Sequence, residues 1–82
     1  MSSQATRQIR SIVGDNIKVA RDELELTQHG LAALLGMASG HTAVSRWERG
    51  VVMPATSTLT RIADVLGRDI HWFYTDHDRE AA

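Results

Sequence analysis

A single proline, Pro54, and the lack of any strand-like alternation of Val, Ile and Thr restrict this 82-residue chain to helices. The apolar residues fall accordingly, at spacings of three and four, and their runs end at glycines. Ile9, Ile12, Val13, Ile17, Ala20 and Leu24 form one stripe, with Asp15, Lys18, Asp22 and Glu25 largely off it. Gly14 interrupts the stripe and suggests a frayed or late helix start, with residues 1–8 as a flexible N-terminal arm. Thr27 suits the N-cap of a second helix over about residues 28–35, which carries Leu31, Leu34 and Leu35 and stops at Gly36. A capping box is absent, because Gly30 stands where Glu or Gln would reach back.

After a turn-like stretch at residues 37–41, a third helix runs from Gly40 or His41 to Arg49 and ends at Gly50. Its apolar content is only Ala43, Val44 and Trp47, which leaves His41, Thr42, Ser45, Arg46 and Arg49 outside the core. Pro54 and Thr56 suit the start of a fourth helix carrying Leu59, Ile62, Ala63 and Leu66, closed by Gly67. Asp69 can cap a short fifth helix in which Ile70 and Phe73 face inward. The expected organisation is an N-terminal arm at 1–8, one all-α, five-helix domain at 9–75 and a polar C-terminal tail at 76–82.

Several function classes fall away on composition. No cysteine is present, which excludes disulfide scaffolds, Cys-rich zinc modules and thiol catalysis. Hydrophobic residues at 43% and charged residues at 23% are ordinary for one globular domain, too small to hold a separate cofactor-binding half. No apolar run approaches the ~18 residues of a membrane span, and the N-terminus lacks a secretion signal, so a soluble, cytoplasmic protein is expected. His71 and His77 with Asp76 and Asp78 do not make a convergent metal site, and no Ser/His/Asp set comes with a pocket or phosphate loop. Neither enzyme activity nor a metal, cofactor or small-molecule ligand is expected.

The net charge of −1 seems to argue against nucleic acid, but its distribution does not. Residues 1–14 carry only Arg7 and Arg10, 15–25 sum to −2, 26–39 carry no charge, 40–68 sum to +2, and 69–82 sum to −3. Without the last fourteen residues the chain is net +2. The arginines thus concentrate on the polar third helix and its flanks.

An amphipathic second helix, a short glycine-containing turn and a polar third helix make the helix-turn-helix pattern, at about residues 28–49. The stretches LTQHGLAALLG and AVSRWERG, followed by P-x-x-x-x-L-x-x-I-A-D-V-L-G, resemble the Cro/repressor, or lambda repressor-like, XRE family of DNA-binding domains over about residues 12–74. The resemblance implies that the third helix is the recognition helix, with Arg46, Ser45, Thr42 and His41 toward base edges in the major groove. Arg46 is the strongest candidate, since a guanidinium bonds guanine O6 and N7 bidentately. It further implies phosphate contacts from Gln28 and Thr27 at the second helix N-terminus and from Arg49, core positions for Val44 and Trp47, and a structural ion pair between Arg21 and Glu48.

Three departures from the family pattern stand out. The turn between Gly36 and Val44 is about two residues longer, the loop Val51, Val52 and Met53 lacks basic residues, and Ala55 stands where a capping Ser or Thr is common, with Thr56 a substitute. Trp72, Phe73 and Tyr74 are consecutive, so one helix side cannot bury them all, and Trp72 or Tyr74 becomes a dimer contact. The expected function is sequence-specific regulation of transcription, as a repressor on a palindromic double-stranded DNA operator, with a homodimer at least on DNA. The alternative is an antitoxin-like or anti-repressor protein-interaction module of the same fold.

Overall fold

The computed structural model describes residues 2–37 and 40–78. Five helices follow one another: α1 Ser2–Glu23, α2 Gln28–Leu34, α3 His41–Glu48, α4 Thr56–Leu66 and α5 Ile70–Tyr74. No strand occurs among the described residues. Helix α1 is the platform: α3 and α5 pack on it, α2 packs on α3, and α4 packs on α5. Val13, Ile17 and Ala20 of α1 meet Leu31 and Leu35, Val44 and Trp47, Leu59, Ile62 and Leu66, and Phe73 in a single core. The stripe read from the sequence is thus buried at its centre, while its outermost members, Ile9 and Leu24, lie exposed.

The stop signals act as the glycine pattern predicts. Gly36, Gly50 and Gly67 all have φ of 71 to 73°, and Gly67 caps α4 in the left-handed conformation. Thr27 caps α2, its Oγ1 accepting from the Gly30 N–H at 2.9 Å, and Asp69 caps α5 by accepting from the His71 N–H at 2.7 Å. At α4 the expectation fails: Ala55 is the N-cap with no side-chain cap bond, and Thr56 is already the first helical residue, too late to substitute. The end of α1 was not marked by glycine in the sequence. There Glu25 takes φ 58°, while Leu26 N–H bonds the Arg21 carbonyl at 3.1 Å, closing the helix at some strain.

Two further expectations are corrected. Helix α1 begins at Ser2, so residues 2–8 continue the helix in place of a separate arm. Nothing between Ser2 and Val13 breaks a helix, because neither proline nor glycine occurs there. Gly14 has another purpose: a Cβ at this position would stand 2.1 Å from the Trp47 carbonyl oxygen, so glycine is what lets α1 and α3 approach. The C-terminal end of α5 is tied back to α1. The buried Asn16 amide donates to the carbonyls of Phe73 at 2.9 Å and Thr75 at 2.8 Å, and to that of Trp72 at 3.2 Å, satisfying the open end of α5. His77 then packs its ring on Trp72 at 4.5 Å. The last four residues of the tail, 79–82, lie outside the described residues.

Candidate nucleic-acid interface

Helix α3 has two faces of opposite character. On the inner face Val44 and Trp47 are buried, as the apolar spacing requires, and Glu48 is buried with them. A carboxylate there needs partners, since an unpaired buried charge is costly. Arg21 supplies them: its Nε donates to Glu48 Oε2 at 2.6 Å and its Nη2 to Oε1 at 2.9 Å. The third guanidinium nitrogen, Nη1, donates to the Leu26 carbonyl at 2.7 Å and lies 3.1 Å from Asp22. The Glu48 hydrogen bond raises the Arg21 pKa above its ordinary value, against the lowering that burial would cause alone. The ion pair implied by the resemblance is therefore a fully bonded fork that ties α3 to α1 and to the α1–α2 connection.

The outer face carries His41, Thr42, Arg46 and Arg49, all exposed, with Ser45 half-buried between them. Among the described residues, Arg46 and Thr42 have no side-chain hydrogen-bond or ion-pair partner, so both are free to meet a ligand. Arg49 is directed by its own helix, Nε donating to Ser45 Oγ one turn back at 3.2 Å. His41 is held differently: its ring stacks on that of His29 from α2, centroids 4.0 Å apart and planes 22° from parallel. This pairing across the turn was not legible in the sequence, where His29 reads as a plain surface residue near the start of α2.

Gln28 also has a second engagement. It is the first residue of α2, beside the Thr27 cap, but its amide donates to Glu48 Oε1 at 3.0 Å. One carboxylate thus gathers α1, α2 and α3 together, and it uses one of the two N–H donors of the Gln28 amide, leaving the other for a ligand. The longer turn does not delay α3 beyond the expected start. Gly40 is its N-cap, and a Cβ there would stand 2.5 Å from Met37 Cβ and 2.8 Å from Ala32 Cβ, so α3 starts at His41 by close packing on α2.

The aromatic residues near the C-terminus separate. Trp72 is half-buried, with the Arg68 guanidinium 4.0 Å above one part of its ring and His77 against it, and Arg68 also pairs with Glu23. Tyr74 is 43% exposed and is the more open of the two. No group of three or more His, Asp or Glu that could hold a metal ion occurs among the described residues, and none of their helices is long and apolar enough to cross a membrane.

Comparison with known proteins gives the same architecture. The crystal structure of the hypothetical transcription factor NHTF from Neisseria matches with a TM-score of 0.80 over 92% of this chain and 85% of that one, at 24% sequence identity. At that identity the likeness speaks for the fold. No curated protein shows significant similarity to the chain. The helix-turn-helix family matches residues 17–73, which include all of α2, α3 and α4 together with the Arg21 and Glu48 fork. With more than half of its length in that match, the chain belongs to the helix-turn-helix family, in its Cro/C1 or XRE form.

Proposed function

We propose that this chain is a sequence-specific double-stranded DNA-binding regulator of transcription, acting as a repressor by occupying a palindromic operator as a dimer. The observation that carries the reading is the division of α3: Glu48, Val44 and Trp47 are locked inward while Arg46 and Thr42 project outward, without side-chain partners among the described residues. A rigid helix with free hydrogen-bonding side chains is what major-groove readout needs. In this reading Arg46 bonds a guanine edge, with Thr42, Ser45 and His41 beside it. Thr27, Gln28 and Arg49 set the register on phosphates. Family membership and the transcription-factor description of the Neisseria relative support it. The dimer places two α3 helices in successive major grooves, ~34 Å apart, with Tyr74 its most exposed aromatic candidate contact.

Selection from random duplex DNA followed by titration of variants tests the proposal. Arg46→Ala should lose about 1–3 kcal/mol on the selected duplex and relax preference at one base pair per half-site, while Gln28→Ala weakens all duplexes alike. A palindromic selected motif and a doubled mass on DNA support the dimer. If both variants bind selected and random duplexes as the wild type does, the docking is wrong.

A second reading, a protein-interaction module of antitoxin-like or anti-repressor type, draws on the α3–α4 loop, where Val51 is 54% and Val52 is 42% exposed. Salt separates the two, because DNA affinity falls steeply with salt and a hydrophobic contact does not.

A further inference from the structure

Helix α1 runs about four turns ahead of residue 17, where the family match begins. This extension carries Arg7 and Arg10 and no acidic residue before Asp15. It is seated against the end of α3. Arg10 Nε donates to the Gly50 carbonyl at 3.1 Å, and a Cβ on Gly50 would stand 3.3 Å from Ser11 Cα. Between the two elements lies a shallow cleft lined by Arg7, Gln8, Ser11, Arg49 and Gly50.

The lining is one-sided in its chemistry. It offers two guanidinium groups, an amide and a hydroxyl, and no carboxylate. Among the described residues the side chains of Arg7, Gln8 and Ser11 have no hydrogen-bond or ion-pair partner, and the Ser45 contact of Arg49 uses only its Nε. The loop immediately after Gly50, where phosphate-neutralising side chains would otherwise be expected, is the neutral Val51, Val52 and Met53. Cationic charge next to the recognition helix therefore comes from α1 in place of the loop.

We propose that this cleft binds a DNA backbone phosphate beside the major groove entered by α3, with Arg7 and Arg49 converging on its oxygens and Gln8 and Ser11 donating to them. Guanidinium groups suit this because they bond phosphate oxygens in pairs and stay charged at every working pH. The inference rests on the DNA-binding reading above and adds a contact from outside the residues that the family match covers. It also assigns a use to the basic N-terminal half of α1, which the core does not require.

The test uses the full chain, a duplex it selects from random DNA and a scrambled duplex of equal length, titrated between about 50 and 200 mM salt. Arg7→Ala should lower the slope of log affinity against log salt by about 0.9 and weaken both duplexes by roughly five- to tenfold, with the preference between them retained. Gln8→Glu, which puts a carboxylate in the cleft, should weaken both further, and Arg7→Lys should restore the slope. Arg7 is exposed and alanine favours helix, so an unchanged circular dichroism spectrum is expected. Wild-type slopes and affinities for both Arg7→Ala and Gln8→Glu would overturn the cleft. The regulator reading then still stands if Arg46→Ala loses its preference. A wild-type chain that selects no duplex and shows no salt dependence overturns both.

Discussion

The two faces of α3 differ by more than exposure. Toward α1, the buried carboxylate has fixed partners, since Glu48 accepts from Arg21 twice and from Gln28 once, and the Trp47 carbonyl packs closely against Gly14. Toward solvent, Arg46 and Thr42 are unpartnered among the described residues, and Arg49 and His41 are only steered, by Ser45 and His29. The difference shows how eight residues can be both rigid and receptive. The inner face fixes the axis and rotation of the helix, so the outer side chains are presented in one orientation without being consumed by contacts of their own. Changes on the inner face should therefore appear as lost stability, and changes on the outer face as lost recognition in a protein that still folds.

The largest effect is expected at the fork. Glu48→Ala or Arg21→Ala leaves one buried charge unpaired and should cost about 3–5 kcal/mol, a large part of the stability of a domain this small, read as a shifted urea midpoint. The double variant Arg21→Met with Glu48→Leu should recover most of that loss, because an apolar pair of similar volume removes the desolvation penalty with the attraction. If the double variant is as unstable as either single one, the fork stabilises α3 through more than mutual compensation, and the inner face depends on these two charges themselves.

Gly14→Ala sets two effects against each other. Helix propensity alone favours alanine by about 1 kcal/mol in mid-helix. The 2.1 Å approach to the Trp47 carbonyl opposes it, and moving α1 off α3 should cost about 1–3 kcal/mol net, seen as a lower melting temperature. A stabilised variant would show that the helix contact is looser than its geometry. The smallest expected change is a gain. Ala55→Ser supplies the missing cap of α4 and should stabilise by about 1 kcal/mol in thermal unfolding. Since Ala55 belongs to neither face of α3, affinity for a selected duplex should not change, which gives a control for the other variants.

Much of the site was legible because its residues are set by local rules. Thr27 caps because a hydroxyl before a helix has an orphan N–H to bond, and Val44 and Trp47 are buried because they share one face at a spacing of three. The Arg21 and Glu48 pair, separated by 27 residues, came only through the family resemblance. Asn16 had no such signal. A lone asparagine on a helix gives no hint that it will cap another helix 57 residues away, yet its amide meets Phe73 and Thr75 carbonyls and holds α5 to α1. Gly14 was misleading by itself, since an isolated glycine in a helical pattern reads as weakness until the partner backbone is seen. Trp72 likewise reads as an open aromatic, and only the convergence of Arg68 and His77 covers it.

The sequence by itself determined that this protein is helical, where four of its five helices start or stop, and most of the residues that form the core, because capping, glycine termination and apolar periodicity act within a few residues. Tertiary structure decided the rest. It turned Gly14 from a break into a contact, made Glu48 a junction for three helices and brought Arg7 of α1 beside Arg49, with Arg10 on the Gly50 carbonyl. Those outcomes depend on distances between segments far apart in the chain, which local rules do not specify and only the packed core sets.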